Sequence, residues 1–375
     1  MTRLDHDANP ARQGTSSISI AMATYNGAAF LNDQLASLAA QTLLPAELVI
    51  TDDCSTDATL ELARDFARMA PFPVHVHRNP ARLGYRANFM GAMRLCSADL
   101  IAFCDQDDIW RPHKLAKIVA CFNDPEVILV HHNADMIDAD GTPIGQLRRE
   151  PPQPPIAEPL SLDPWFVVPG HTQVFRRVIA DFGEAWPSSI DFYTDSQPMA
   201  HDQWSVFLCA VLGRIVYLDA HLVQYRIHPA NTEGWPTRPV GMWERMRYRL
   251  EDRTRVYDRL SRSALHRAET LRHLPSDIPA AWQERARAGA ARWQSLAASY
   301  ETRQRIYDSP NPVARAKALL RLIRDDAYNG KGFWTFGSKG LLKDAILGAA
   351  LGPMTRRYGF PPIGGDPTCM RGARP

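Results

Sequence analysis

A doubly wound α/β domain with a mostly parallel central sheet is predicted over residues 17–235, on three observations. Short apolar runs of strand length alternate with amphipathic segments of helix length through the first 135 residues. The connections between them are short, which suits crossover units. Polar and acidic clusters fall at the C-terminal ends of the runs, where ligands of such sheets bind: Thr24-Tyr25-Asn26, Asp52-Asp53 and Asp105 to Asp108.

The elements follow in order. Ser17–Ala23 reads as the first strand, and Ala28–Gln41 as a helix that places Phe30, Leu31, Leu35 and Leu38 on one face. Glu47–Thr51 is the second strand. The helix Asp57–Met69 clusters Leu60, Leu62, Ala63, Phe66 and Ala67. Val74–His77, Tyr85–Leu95, Leu100–Cys104, Leu115–Phe122 and Val127–His131 continue the rhythm as strand, helix, strand, helix and strand. The proline-rich run Glu150–Pro155 marks a loop or hinge. Beyond it, Trp165–Asn231 returns to apolar runs, with a helical run at Ser205–Leu212 and a strand at Ile215–Leu218. From Met242 to about Tyr307 the chain turns to Arg- and Ala-rich helices, with Trp243, Met246, Leu250, Tyr257 and Leu260 at helical spacing. Residues 240–375 are thus expected to form a C-terminal α-helical region, and residues 1–16 a flexible N-terminus.

Composition narrows the class. With 43 basic and 41 acidic residues the net charge is +2, so no global field for nucleic acid is implied. Six cysteines lack metal-ligand spacing. Four of them (Cys96, Cys104, Cys121 and Cys209) sit in apolar runs, as reduced core thiols of a cytoplasmic protein do. Met1–Ser17 is polar with acidic residues, unlike a signal peptide. No apolar stretch approaches the ~20 residues of a spanning helix. A soluble or peripheral protein is expected.

The chemistry concentrates where the fourth strand ends. Asp105, Asp107 and Asp108 place three carboxylates within four residues. Such a group repels itself unless something positive sits between its members. The expected cation is Mg²⁺ or Mn²⁺, which takes oxygen ligands and bridges protein to diphosphate. The alternative is that Asp107 or Asp108 caps the helix whose first turn holds Pro112. Thr24-Tyr25-Asn26-Gly27 suits stacking and edge bonding of a flat heterocycle, or else is a turn. In Asp52-Asp53-Cys54-Ser55-Thr56-Asp57, Asp57 or Ser55 is expected to cap the following helix. Asp53 could accept from the imide N–H of uracil or thymine. In the loop Asn79–Phe89, Arg82 or Arg86 could pair with a diphosphate, and Asn88 could be buried against backbone groups. Asp202, in His201-Asp202-Gln203-Trp204, is either an N-cap or a general base. Arg226 and His228 suit a phosphate or a metal, although an isolated histidine is more often structural.

In this order the motifs resemble the family 2 inverting glycosyltransferases of the GT-A (Rossmann-like) nucleotide-sugar-binding fold. The resemblance covers about Ser17–Gly234 and rests on six motifs. They are Ala23–Gly27, Thr51–Asp57, Asn79 with Gly84 and Asn88, Phe103–Trp110, His201–Trp204, and Tyr225–His228 with Asn231. The form Asp-Gln-Asp-Asp-Ile-Trp, with the His-Asp and Tyr-Arg-x-His motifs, is most similar to the rhamnosyltransferase-like branch. That branch uses dTDP-rhamnose and has relatives using UDP-sugars. The one departure within the motifs is Cys54, where the family often has glycine.

The resemblance implies that Thr24 and Tyr25 lie against the base and that Asp53 binds its imide edge. Asp105 would contact the ribose, Asp107 would hold the divalent ion, and Asp202 would deprotonate the acceptor. Asn26, Arg86, Asn88, Gln106, Arg226 and His228 complete the implied donor site. The implied activity moves a sugar onto a hydroxyl of a growing bacterial surface polysaccharide or lipid-linked saccharide. Two other classes compete. A haloacid-dehalogenase-type phosphatase or phosphotransferase needs a nucleophilic Asp followed by Asp-x-Thr/Val, which Asp105-Gln106-Asp107-Asp108-Ile109 lacks. A non-catalytic nucleotide-sugar-binding module would need no base, so an intact Asp202 argues against it. Finally, Gly332–Tyr358, preceded by Lys331, interleaves Phe333, Trp334, Phe336, Leu341, Leu342, Ile346 and Leu347 with Lys339, Lys343, Arg356 and Arg357. It reads either as a helix packed on the domain or as a basic element on the inner membrane face.

Overall fold

The first seven elements alternate: β1 (Ile18–Thr24), α1 (Leu31–Ala39), β2 (Glu47–Asp52), α2 (Thr59–Met69), β3 (Val74–Arg78), α3 (Tyr85–Leu95) and β4 (Leu100–Cys104). The computed structural model describes residues 16–148, 154–194, 196–231, 253–275, 278–329 and 334–352. All seven residues of β1 are buried, and its period-two alternation serves two layers. Ile18, Ile20 and Met22 share a core with Leu31, Leu35 and Leu38 of α1. Ala21 and Ala23 share another with Phe89, Met90 and Met93 of α3.

The four strands pair in parallel in the order β3-β2-β1-β4. The order reverses between β1 and β4, and at such a point the diverging loops open a crevice beyond the strands' carboxyl ends. Next come β5 (Ile109–Trp110), α4 (Lys114–Val119), β6 (Val127–Ile137), β7 (Pro143–Gln146), β8 (Ile156–Ala157), β9 (Gln173–Arg176), α5 (His201–Leu212) and β10 (Arg214–Arg226). They extend the sheet as β4-β9-β6-β10-β5, with β9 antiparallel to both of its neighbours and β6 parallel to β10. The sheet is therefore mixed beyond β4. At four residues, β9 is too short to show a period of its own.

Both β6 and β10 run well past the expected Val127–His131 and Ile215–Leu218. Their extensions carry polar residues such as His132, Asn133 and Gln224, held by the parallel β6–β10 ladder and its register shifts. Pairing overrides side-chain pattern here.

Four further helices are described: α6 (Arg253–Arg272), α7 (Ala280–Asp308), α8 (Pro312–Arg324) and α9 (Gly337–Lys343), the last running into a π-helical turn, Asp344–Ala350. They continue the core of the α3 face. Trp293 of α7 meets Trp165 at 5.2 Å, Trp334 at 5.0 Å and Phe207 of α5 at 6.0 Å between ring centroids. The fully buried Asp344 accepts from Arg303 Nε at 2.6 Å and from the Tyr307 and Tyr328 hydroxyls at 2.7 Å each. Of the expected 332–358 segment, Trp334, Phe336, Leu341 and Leu347 pack against this core, whereas Leu342 and Ile346 are exposed. Residues 1–15, 150–153 of the hinge, Trp243, Met246, Leu250, Lys331, Phe333, Arg356, Arg357 and Cys369 lie outside the described residues. No described helix is long and apolar enough to cross a membrane. Cys96, Cys104 and Cys209 are free and buried, and Cys54 and Cys121 are free and half-buried.

Burial of three histidines makes stability depend on pH. Burial holds His131 and His201 down to about 3 and His132 well below the usual 6.5. The unfolded chain takes up these protons near the ordinary value and the folded chain does not. Their contribution to stability is therefore lost as pH falls from 6.5 towards 3. His131 and His201 each account for about 2 kcal/mol between about pH 7 and about pH 5. Denaturant midpoints across that range measure the slope, and His131→Gln is expected to flatten it. An unchanged slope in that variant would mean that His131 is protonated in the fold.

Candidate functional site

The acidic cluster follows β4 at the mouth of the crevice. Asp105 is 32% exposed, and its Oδ2 lies 3.3 Å from His171 Nδ1. Burial alone would raise its pKa, but the hydrogen bond and charge of His171, with His201 and Lys114 nearby, hold it below the ordinary value. Asp108 is fully buried. Its Oδ1 accepts from the Arg226 backbone N–H at 3.0 Å, and its Oδ2 has no partner, 4.0 Å from His171 Nδ1. Burial, then the charges of Asp107 and Asp105, push its carboxyl well above the usual range.

Asp107 differs from both. Its Oδ2 accepts from His228 Nε2 at 2.8 Å and from Asn231 Nδ2 at 3.4 Å. The Ala230 N–H lies 3.3 Å from His228 Nδ1. Neither Asp107 nor Asp108 caps the next helix: α4 begins after His113 with no side-chain cap.

Two residues absent from the sequence-predicted set shape this cluster. His171 stacks on Tyr225 at 4.6 Å, and its Nε2 is buried without a partner. Lys114 is fully buried, donates to the His171 carbonyl at 2.8 Å and lies 3.4 Å from the centre of the Trp110 ring. Burial drives its ammonium down to about 7 against the pull of Cys104, Asp108 and Asp105. A lone histidine between apolar runs, in Pro169-Gly170-His171, gives no periodic signal. The adjacency of Lys114 to the Trp110-Arg111-Pro112-His113 run was the only hint of its place.

Across the crevice, the ends of β1 and β2 are tied together from below. Thr24 donates to Asp52 at 3.1 Å, and Ser55 Oγ donates to the same carboxylate at 2.5 Å. Buried Asn88 donates to the carbonyls of Thr24 (3.2 Å) and Thr51 (2.9 Å) and accepts from Asn79 at 2.9 Å. Asp53 accepts from Asn79 Nδ2 (3.0 Å) and from the backbone N–H groups of Leu83 (2.7 Å) and Gly84 (2.8 Å), so it organises the loop into α3. Asn26 and Cys54 both adopt left-handed backbone, with φ of 46° and 64°. The turn at Cys54 thus takes the conformation that glycine adopts most cheaply. Asn26 Oδ1 accepts from the Thr56 N–H at 2.9 Å. Neither Ser55 nor Asp57 is the cap of α2, which begins after Ala58 with no side-chain cap: Asp57, one residue earlier, accepts from the Thr59 N–H at 3.0 Å, and Ser55 serves Asp52.

Tyr25 and Gln106 join the two sides. Gln106 accepts from the Tyr25 N–H at 2.9 Å and donates to its carbonyl at 3.1 Å. The exposed Arg82 guanidinium sits 4.0 Å from the centre of the Tyr25 ring. A Cβ added at Gly27 would lie 2.2 Å from Gln106 Oε1. Gly27→Ala is therefore expected to expel the Gln106 amide and lose both bonds to Tyr25, at a cost of about 1–3 kcal/mol. Thermal melting checks this, and an unshifted midpoint would show that the amide relocates freely.

The structure divides the remaining expected residues. Arg226 is buried and donates to the carbonyls of Asp107 (2.9 Å) and Ala139 (2.8 Å) and to Asp33 (3.0 Å). Arg86 pairs with Asp191 and with the Pro198 carbonyl, both at 2.6 Å, and so ties α3 to the loop before α5 instead of joining the acidic cluster. Asp202 is the second residue of α5, and its Oδ1 accepts from the Gln203 N–H at 2.8 Å. Its neighbour His201 stacks on Phe89 at 3.9 Å and meets the edge of Phe103 at 4.7 Å. A Cβ on Gly170 would lie 2.5 Å from His201 Nε2. These contacts hold the first turn of α5 against the Gly170–Thr172 turn and the end of β4.

Residues 19–182 match the family model for glycosyl transferase family 2. An uncharacterized glycosyltransferase of Nostoc sp. is 30% identical over 224 residues, which are 57% of this chain and 66% of the relative. The dTDP-rhamnosyl transferase RfbG of Shigella flexneri is 33% identical over 118 residues, 30% of this chain and 38% of the relative. Among solved structures, S. aureus TarS 1–349 in complex with UDP-GlcNAc is 18% identical with a TM-score of 0.46, covering 82% of this chain and 87% of that one. The chain spans just under two thirds of the Nostoc relative's length.

Proposed function

We propose, from the match of residues 19–182 to the glycosyl transferase family 2 model, a metal-dependent inverting transfer from a pyrimidine nucleotide-sugar to a saccharide hydroxyl. The observation that carries this reading is the convergence of Tyr25, Gln106, Asp105 and the Asp107–His228 pair at the point where the strand order reverses.

Asp107 and His228 are the residues that would hold the ion. Their facing atoms lie 2.8 Å apart, close to the ~3 Å between neighbouring ligands on a cation with bonds of about 2.1 Å. No described residue hydrogen-bonds Asp107 Oδ1. Bound there, Mg²⁺ or Mn²⁺ would offset charge on the leaving diphosphate. A second ligand set has its own support: Asp105, Asp108 and His171 each place one ligand atom within 4.8 Å of the others. Asp108 Oδ2 and His171 Nε2 are buried without partners.

The chain's own groups do the rest. The Tyr25 ring beneath Arg82 offers a flat face for the base, and Asp53 would accept the imide N–H with its remaining lone pairs. Asp105 would accept from the ribose hydroxyls. Asp202 would take the proton of the acceptor hydroxyl as its oxygen bonds the anomeric carbon. The bond from that carbon to the diphosphate oxygen breaks on the opposite face, and configuration inverts. Likeness to a dTDP-rhamnosyl transferase supports dTDP-rhamnose as donor, and UDP-sugars present the same imide edge. A growing surface polysaccharide or lipid-linked saccharide on the cytoplasmic side would supply the acceptor.

Thermal shift with Mn²⁺ and a panel of UDP-, dTDP- and GDP-sugars tests the donor class, since a ligand of the folded state alone raises the midpoint. Selective stabilisation by UDP- or dTDP-sugars is expected. Stabilisation by GDP-sugars alone would overturn the roles given to Asp53 and Tyr25. Transfer or donor hydrolysis separates an active enzyme from a binding module.

A further inference from the structure

Helix α8 carries two apolar stripes, and among the described residues only one of them is packed. Arg315 and Leu322 are buried, with Ala318 and Leu319 packed beside them against the core. On the other side, Val313 (59% exposed), Ala316, Leu320 (64%) and Ile323 follow one another at steps of three, four and three residues. That spacing lines one face of a helix. The thirteen residues Pro312–Arg324 contain no Asp or Glu, and Lys317, Arg321 and Arg324 are exposed alongside the stripe. Asp325, just past the helix, pairs with Arg324 at 3.1 Å and Arg321 at 3.5 Å, leaving Lys317 clear of it.

The neighbouring segment has the same character. Arg315 Nε donates to the Ala349 carbonyl at 3.0 Å, which fixes α8 beside the π-helical turn. That turn and α9 expose Ile346 and Leu342, with Leu351 just beyond and Lys339 also exposed.

We propose that this face of α8, with Leu342, Ile346 and Leu351, docks in the interface of an anionic phospholipid membrane. Charge complementarity selects that occupant. Large apolar side chains interleaved with cations suit an acidic headgroup layer, where the apolar stripe enters and the cations remain among phosphates. A second copy meeting this stripe would bring Lys317 against its own counterpart with no acidic residue of the helix to compensate, and Arg321 and Arg324 against theirs with one Asp325 between the two of them. At thirteen residues, α8 is about 20 Å long and lies on the bilayer rather than crossing it. The surface is centred on α8 and takes only Leu342, Ile346 and Leu351 from the 331–358 segment, because Trp334, Phe336, Leu341 and Leu347 are spent on the core. None of this depends on the donor site.

Flotation of the full chain with phosphatidylcholine vesicles, with and without phosphatidylglycerol, tests the proposal. The wild-type chain is expected to float only with the anionic vesicles, and less in high salt. Leu320→Asp with Ile323→Asp should lose flotation, and so should Lys317→Glu with Arg324→Glu. All four positions are exposed, so circular dichroism and melting should match wild type. If one pair misfolds, the other still decides. Absence of flotation by the wild-type chain, or flotation unchanged in a folded variant, overturns the proposal. A dimer in sedimentation that Leu320→Asp with Ile323→Asp dissolves also overturns it, since the stripe would then join two copies.

Discussion

Asp107→Asn is expected to abolish sugar transfer and Mn²⁺-dependent donor binding while the protein remains folded. Asparagine keeps the shape of the side chain and can still meet His228, so the loss in stability is about 1 kcal/mol, the net worth of a hydrogen bond. What disappears is the negative charge that a hard cation needs. Calorimetric titration with Mn²⁺ measures binding apart from turnover, and a transfer assay measures the rest. Full activity in the variant, or full wild-type activity in EDTA, would remove Asp107 from the metal site. The parallel variant His171→Ala decides between the two ligand sets. If Mn²⁺ binding survives Asp107→Asn and is lost in His171→Ala, the ion sits with Asp105, Asp108 and His171.

The legibility of this molecule follows the range of its interactions. Where a segment buries both faces or one clean stripe, sequence and structure agree closely: Tyr85–Leu95 and Leu100–Cys104 are found with the expected ends. The antiparallel β9 was not legible, because its partners β4 and β6 lie far from it in sequence and four residues carry no pattern. The long ends of β6 and β10 were hidden for a related reason, since each pays for its polar residues only through the other.

In the site, residue type revealed that Asp105 to Asp108 form a cluster. Which carboxylate faces what depends on His171, Lys114 and Arg226, which arrive from three other elements. Asn88 and Arg226 have the chemistry of ligand-binding residues, and in the fold both donate to backbone carbonyls, Arg226 also to the Asp33 carboxylate. A motif alone does not distinguish a group that touches a ligand from one that holds the loop which does. Cys54 shows the converse: a residue foreign to its turn adopts the left-handed backbone, and its thiol lies 3.2 Å from the Asn79 carbonyl.

Asp202→Asn is expected to leave donor affinity nearly unchanged and to lower kcat by roughly 10²–10⁴, the usual worth of general acid–base catalysis. The fold supplies the position. His201 is wedged among Phe89, Phe103 and Gly170, and Gln173 Nε2 donates to the Asp202 carbonyl at 3.3 Å, so the first turn of α5 is fixed beside the end of β4. His201 itself does not compete for the role: both its ring nitrogens are buried without partners, and burial holds it down to about 3. The remaining alternative is structural, because Asp202 Oδ1 accepts from the Gln203 N–H inside its own helix. Asparagine separates the two accounts. Its amide oxygen keeps that acceptor, so a purely structural Asp202 predicts wild-type kcat and melting within about 1 kcal/mol. An amide cannot take the acceptor's proton, so a base at this position predicts a collapse of kcat with an unchanged donor-induced thermal shift.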